Sequence, residues 1–182
     1  VFKFSIASIL KNVSFYLNFF TRQIAKELNM TKPQENIGKH IISGELGIGE
    51  ITEVASMGDK GDFYRVSFQK TDAINFFSVT NQNNYRMLES KENLEKAIKI
   101  FKKDHAPLEF DSTQAKITTL KKSLRTSGVM DLAHQLSSLN QEKEIHVSLK
   151  KIFENTLKSF VQEIEFVLNI KNIDAWNLLG LT

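Results

Sequence analysis

The 182-residue chain has no cysteine, two prolines and one tryptophan. The absence of cysteine excludes a disulfide framework, a thiolate metal site and a cysteine nucleophile, and it is typical of a reducing compartment. A cytoplasmic location is therefore the default expectation. Hydrophobic residues make up 41% of the chain, which is enough to build a folded core.

Long hydrophobic runs are also missing. In residues 1–29, Lys3, Lys11 and Arg22 interrupt the apolar segments, so no run approaches the roughly 20 residues that cross a bilayer. No small-x-small cleavage site of a secretory signal follows the first run. We interpret Met30 as the natural start and residues 1–29 as an over-extended reading of the gene; a dangling amphipathic segment is the alternative. We expect no membrane partner.

A surplus of positive charge is absent from most of the chain. Residues 1–29 carry four basic side chains and one acidic one, which accounts for the whole formal charge of +3. The other residues, 30–182, hold 20 basic and 20 acidic side chains, as subtraction from the totals of 24 and 21 shows. Because nucleic-acid affinity depends on the phosphates contacted rather than on total charge, any such function must rest on a local basic patch.

Residues 38 to about 88 have the pattern of short strands. Tyr64, Val66 and Phe68 alternate with polar residues, as a strand buried on one face requires. Glycine-containing or polar turns separate the segments, which favours an antiparallel sheet, and a small SH3-like or Tudor-like barrel is the natural closure for so few strands. The predicted strands are Lys39–Ser43, Ile48–Ser56, Phe63–Gln69 and Ala73–Val79.

The period becomes helical after Ser90, a predicted N-cap. Four helices are expected, with the linker His105–Ser112 after the first and a break at residues 126–128 after the second. The sequence therefore predicts an α+β protein, a small antiparallel β barrel followed by an α-helical bundle. Its predicted parts are an N-terminal extension (1–35), a β module (36–90), a helical module (91–170) and a tail (171–182), in which Trp176 is expected to pack against the bundle.

No pattern of catalytic or metal-binding residues stands out. The four histidines are scattered without metal-ligand spacing, and no Gly-Lys-Ser/Thr follows the glycines at 44–49, which instead favour a turn with positive φ. Glu163 and Glu165 have the spacing of solvated helix charges. We therefore expect no enzyme activity, no cofactor, no metal and no small-molecule substrate.

Several motifs accompany this order of strands and helices. They are Gly38-Lys-His-Ile-Ile-Ser-Gly-Glu-Leu-Gly47-Ile48-Gly49-Glu-Ile51, Phe63-Tyr64-Arg65-Val66, Arg86-Met-Leu88-Glu-Ser90-Lys-Glu92, Thr126-Ser-Gly128-Val-Met-Asp-Leu132-Ala133-His-Gln-Leu136-Ser-Ser-Leu139 and Glu163-Ile164. Their order and spacing resemble the CarD/CdnL family of bacterial transcription regulators. The first module of that family also occurs in the transcription-repair coupling factor as its RNA-polymerase-interacting domain. The resemblance covers residues 38 to about 168.

The resemblance implies that the β module binds the RNA polymerase β subunit through an exposed sheet edge. Strand pairing at an edge uses backbone hydrogen bonds and tolerates changes of side chain. The family has a basic residue on its polymerase-facing strand. The corresponding position in this chain falls near Ile74-Asn75, which are uncharged, so the tolerance of strand pairing matters here. The expected polymerase-binding residues are Phe63, Arg65, Asn75, Phe76 and Phe77. Of the last two, one is expected to be buried and one available to a partner.

The resemblance also implies that the helical module approaches promoter DNA upstream of the melted region and shifts the population of open complex. Thr113 and its neighbours stand where the family has a tryptophan that wedges into the minor groove, so only backbone contacts are expected. Phe110 is expected to pack in the contact between the two modules rather than to insert into DNA as the family's tryptophan does. The candidate DNA-binding residues are Lys116, Lys121, Lys122, Arg125, Lys150 and Lys151.

Three alternatives stay open. Without the resemblance, the basic residues of the second helix are an ordinary solvated helix face, since Lys121, Lys122 and Arg125 lie opposite its apolar residues. The missing wedge and the neutral charge of residues 30–182 are also compatible with an adaptor that binds polymerase or another protein and has lost DNA engagement. An unrelated Tudor-like module fused to helices is the third.

Overall fold

The strand-rich half of the chain forms one antiparallel sheet. The computed structural model describes residues 32–44, 46–103, 105 and 108–181, without the side chains of residues 125 and 126. The sequence hypotheses on residues 1–29 lie outside this described part. The strands are β1 (His40–Ser43), β2 (Gly47–Ser56), β3 (Asp62–Phe68), β4 (Ala73–Ser78) and β5 (Arg86–Met87), and their order across the sheet is β4-β3-β2-β1-β5.

The sheet bends at the long strand β2. Its first half pairs with β1 and its second half with β3, and the register shifts between Ile51 and Glu53, as a β-bulge produces. One face of the bent sheet encloses an apolar cluster of Ile41, Ile51, Tyr64, Val66, Phe68 and Tyr85. Among the described strands, β4 and β5 are the two ends of the sheet, which is therefore open. The antiparallel α+β prediction is confirmed.

Two glycines near the start of β2 are required for different structural reasons. Gly47 has φ +79°, which confirms the prediction of a turn with positive φ. Gly49 allows a close approach, because a Cβ atom there would lie 2.6 Å from Val66 Cγ1 and 2.8 Å from the Phe68 ring. The aromatic core of the sheet therefore fills the space that a side chain at position 49 would occupy.

Five helices follow in the described part of the chain. They are α1 (Lys91–Phe101), α2 (Thr113–Thr126), α3 (Val129–Asn140), α4 (Val147–Leu168) and α5 (Asn172–Leu179). Ser90 caps α1 as predicted, since its side chain accepts a hydrogen bond from the Asn93 N–H at 3.2 Å. The first four helices confirm the predicted ones, whereas α5 lies in the segment 171–182 that was predicted to be a tail. None of the described helices has the length and apolar character that a membrane crossing requires.

The helices share one hydrophobic core. Phe153, Leu157, Phe160, Val161 and Ile164 of α4 contribute a continuous buried stripe to it. Phe110 and Trp176 are partly buried against the same core, which confirms the expected packing of Trp176, and Phe110 lies against the helices. The described residues from 37 onward form one compact unit, in which α4 contacts both β1 and β2.

Candidate functional site

The edge strand β4 carries the clearest candidate surface. Among the described strands it pairs only with β3, and its six residues, AINFFS, include no charge and no proline. Edge strands are commonly protected by charged residues, proline or bulges, and β4 has none of these. It therefore offers unprotected backbone groups to a partner strand.

The hydrogen-bond register shows which backbone groups of β4 are exposed. The Val79 N–H donates to the Asp62 carbonyl at 3.0 Å, so this directly opposed pair is hydrogen-bonded. Hydrogen-bonded pairs alternate in an antiparallel ladder, which turns the backbone of Asn75 and Phe77 toward β3 and that of Ile74 and Phe76 toward the free edge.

The two phenylalanines of β4 lie on opposite faces. Phe77 packs against the Tyr85 ring at 5.2 Å and the Phe68 ring at 6.0 Å between centroids, so it belongs to the sheet core. Phe76 is 47% exposed, and Ile74, two residues away on the same face, is 49% exposed. Phe77 is partly buried against the sheet core, and Phe76 is the phenylalanine of this pair whose side chain is exposed.

The structure divides the five predicted polymerase-binding residues between the two faces. Residues directly opposite in the ladder share a face, so Phe63 and Arg65 of β3 accompany Phe76, whereas Asn75 lies with Phe77 on the other face. Arg65 is directed toward β2, where its Nη1 donates to Thr52 Oγ1 at 3.1 Å. The outward face of this edge thus combines apolar and cationic groups.

A cleft of about 540 Å³ adjoins the inner face of β4. It is lined by Asn75 and Phe77, by Tyr85 and Arg86 from the segment at β5, and by helical residues such as Leu124 and Ile152. The Tyr85 hydroxyl donates to the carbonyl of Ser78, the last residue of β4, at 2.9 Å. This hydrogen bond occupies a backbone acceptor at that end of the strand. Burial, with Tyr64 adding to it, raises the pKa of Tyr85 to about 12 and so keeps the phenol a donor.

The predicted basic face of the helices is only partly available. Ile117, Leu120 and Leu124 of α2 are buried, as predicted. Lys116, however, forms an ion pair with Glu142 at 2.5 Å, and both side chains are largely buried. A paired lysine contributes little net charge to a DNA-binding surface, so the assignment of Lys116 as a DNA contact is weakened.

The other predicted basic residues lie on α2 and α4, which pack against each other. Lys122, Lys150 and Lys151 are exposed, and Lys121 is half-buried. The side chain of Arg125 lies outside the described part. Glu154 follows Lys150 at the i+4 spacing of an interacting helix pair, which reduces the local positive potential.

One prediction about charge is wrong. Glu163, which the sequence analysis treated as a solvated helix charge, is fully buried. Its carboxylate accepts hydrogen bonds from Arg86 Nη1 at 2.8 Å, from Arg86 Nη2, and from the Glu89 N–H at 3.1 Å. A signal was present in the sequence, because Glu163 lies three residues after Phe160 on the apolar stripe of α4.

The described residues contain no group of three or more His, Asp or Glu side chains that could hold a metal ion. The His105 and His134 rings lie 4.2 Å apart between centroids, and His105 Nε2 lies 2.7 Å from the Ile100 carbonyl. This pair fastens the end of α1 to α3.

No protein-family model matches the sequence, and a search of curated proteins finds no match. The geometry of the sheet edge and the helices therefore carries the functional argument.

Proposed function

We propose that this protein is a CarD-like, non-enzymatic transcription regulator of the bacterial cytoplasm. Its β module binds the RNA polymerase β subunit, and its helical module contacts the backbone of promoter DNA. It acts by binding the open complex more tightly than the closed complex, since a ligand shifts an equilibrium only through a difference in affinity. The single observation that supports polymerase binding best is the unprotected edge of β4.

A Tudor-like closure of the β module is part of this proposal. The bulge in β2 supports it, because a bulge bends a strand so that it serves two parts of a curled sheet. The Tyr85 hydroxyl also supports it, because it connects the segment before β5 to the far end of β4. A partner strand added at β4 would extend this curled sheet.

The polymerase contact is proposed to be a strand pairing with Ile74 and Phe76. Their backbone groups face the free edge, so a strand of the β subunit would form hydrogen bonds there without disturbing the β3–β4 ladder. Phe76 and Ile74 would add apolar contacts on the outward face, beside Arg65.

The backbone geometry permits a sharp test of strand pairing. Phe76→Pro removes an N–H that points to the free edge, and proline is tolerated at such edge positions. We expect wild-type protein at micromolar concentration to be retained by the immobilised β-subunit lobe and Phe76→Pro to be lost. Phe76→Thr, which keeps the N–H, is the matched control and should retain most binding. No retention of the wild type would remove the polymerase half of the proposal.

The DNA contact is proposed to involve Lys121, Lys122, Lys150 and Lys151, with Arg125 as a further candidate. Four phosphate contacts give a slope of about −3.6 in a plot of log affinity against log salt concentration, which is weak alone and useful beside the polymerase contact. Neither Phe110 nor Trp176 replaces the wedge in this proposal, since both are partly buried against the helical core.

Titration of labelled promoter DNA at two salt concentrations, with and without polymerase, tests the DNA contact. Reversal of Lys121 and Lys122 to Glu should lower promoter occupancy and flatten the salt dependence. Lys116→Gln is the matched control on the same helix and should change little, because Lys116 is already paired with Glu142.

The second candidate function is an adaptor that binds polymerase or another protein without engaging DNA. The Lys116–Glu142 pair favours it, because this pair removes one of the predicted DNA contacts. The exposed Thr113 at the start of α2, where the resembling family has its wedge, favours it as well. If the reversed lysines leave promoter occupancy unchanged while the β lobe still binds, the adaptor function is correct.

A further inference from the structure

Helix α4 faces the β module with a short stretch of side chains between Gln162 and Phe166. Phe166 lies against the His40 ring, with 4.8 Å between centroids. Gln162 passes close to Gly47, where a Cβ atom would lie 3.6 Å from Gln162 Oε1. Glu163, the next residue along α4, accepts from Arg86 of β5. The contact between the two modules is therefore concentrated on about two turns of one helix.

Glu163 joins three elements at one carboxylate. Both of its oxygens accept from the Arg86 guanidinium, and one also accepts from the Glu89 N–H just before α1. A bidentate ion pair of this kind fixes the relative orientation of the two groups as well as their distance, because both groups are planar and their hydrogen bonds are directional. The ion pair thus defines how β5 and the start of α1 meet α4.

Two open spaces border the contact between the β module and α4. A cavity of about 340 Å³ lies between β1, β2 and α4, and its walls include His40, Gln162 and Phe166. The 540 Å³ cleft has Arg86 among its lining residues. Apolar packing fixes a unique arrangement only where side chains interdigitate closely. Beside these openings the hydrogen-bonded ion pair adds a directional constraint to the packing of α4.

We propose that Arg86 and Glu163 are positioning residues that hold the β module at one orientation relative to the helices. The orientation matters because the edge of β4 and the lysines of α2 and α4 must reach their partners at the same time. This second statement rests on the proposed function, whereas the positioning itself does not. A buried ion pair contributes little net stability compared with an apolar replacement, so orientation is what this pair supplies.

The chain lacks cysteine, which allows the orientation to be measured directly. Cysteines introduced at the exposed positions Glu53 on β2 and Lys158 on α4 would carry nitroxide spin labels, and pulsed electron paramagnetic resonance would give the distance distribution between them. In the otherwise wild-type protein we expect one narrow distribution.

The decisive variant is Arg86→Met with Glu163→Met, which removes both charges and leaves neither partner unpaired. We expect a cooperatively folded protein with a distance distribution at least about twofold wider, because contacts between modules otherwise permit relative motion. The matched control replaces the exposed Lys96–Glu92 pair, 2.6 Å apart, with methionines and should leave the distribution unchanged. A wild-type width in the Arg86–Glu163 double variant overturns the proposal.

A second variant covers the possibility that the double replacement does not fold. Glu163→Gln keeps the shape of the side chain and some hydrogen bonds but weakens the charge-assisted pair. It should broaden the distribution to a smaller degree, and an unchanged width would refute the positioning role.

Binding measurements on the same variants separate this proposal from the proposed function. We expect the double methionine variant to keep its affinity for the isolated β-subunit lobe and to lose its effect on promoter occupancy. If the wild type does not bind the lobe, the proposed function fails while the spin-label result still decides the positioning role. If promoter occupancy is unchanged despite a broadened distribution, the link between orientation and function is wrong.

Discussion

Replacing Tyr85 with phenylalanine should make the protein less stable at neutral pH and more stable at strongly alkaline pH. The Tyr85 side chain is 3% exposed, and its hydroxyl donates to the Ser78 carbonyl at 2.9 Å. Its ring stands edge-on to Phe77 and to Tyr64. Phenylalanine keeps this ring packing and removes one hydrogen bond, which costs about 1 kcal/mol at neutral pH.

The alkaline effect has the opposite sign. Burial is the main cause that raises the pKa of Tyr85 from 10.0 to about 12 in the folded protein. Between these two pH values the unfolded chain has lost the phenolic proton and the folded protein still holds it, so stability falls as pH rises. The loss is absent below pH 10 and reaches about 2 kcal/mol by pH 12.

The variant lacks this loss because phenylalanine has no proton to release. The two stability curves should therefore cross near pH 11, with the variant about 1 kcal/mol more stable at pH 12. The lysines and the other tyrosines titrate in both proteins, so the difference between the two stability curves isolates the contribution of Tyr85.

Urea unfolding followed by circular dichroism at a series of pH values between 7 and 12 measures both curves. Tyr64→Phe is the matched control: it changes the same aromatic cluster but keeps the Tyr85 hydroxyl and its burial, the main cause of the raised pKa, so it should keep most of the alkaline loss. Curves for wild type and Tyr85→Phe that stay parallel over the whole pH range would refute the argument from burial.

Two other substitutions test the packing and the buried charge. Gly49→Ala should destabilise the protein by about 1 to 3 kcal/mol, because the new Cβ would lie 2.6 Å from Val66 Cγ1. Urea unfolding measures this change in stability. A neutral result would contradict the prediction and show that the sheet shifts easily to make room. Glu163→Ala should cost about 3 to 5 kcal/mol by leaving Arg86 unpaired, and adding Arg86→Met should recover most of it. Equal destabilisation in the single and double variants, measured by thermal unfolding, would contradict this account.

Local patterns were sufficient to predict most of the elements. The alternation of Tyr64, Val66 and Phe68 is set by the two-residue period of a strand, and all three side chains are buried. The cap at Ser90 and the break at Gly128 likewise depend only on neighbouring residues. Such features could be located from the sequence because they involve interactions within a few positions.

Features that depend on distant partners could not be predicted. The strand β5 has two residues, too few to show a period, and it exists because Met87 and Arg86 pair with β1. The short helix α5 follows a turn at Asn169 with φ +53°. A charged side chain such as Glu163 is expected on the surface unless its partner is known, and that partner lies 77 positions away.

The candidate site shows the same difference between features set by neighbouring residues and features set by distant partners. The aromatic pair on β4 was visible, but the assignment of Phe76 to the outside required the register with β3. The lysines of α2 were visible as a group, but the pairing of Lys116 with Glu142 joins positions 26 apart. Sequence patterns therefore indicated the surfaces, and long-range contacts decided which of their residues are available.

The distance along the chain between Arg86 and Glu163 has a consequence for biosynthesis. A ribosome makes the β module first, and every strand is complete long before α4 emerges. Until then Arg86 has no carboxylate partner on α4. A chain that ends before Glu163 would therefore lack the ion pair that joins β5 to the last long helix.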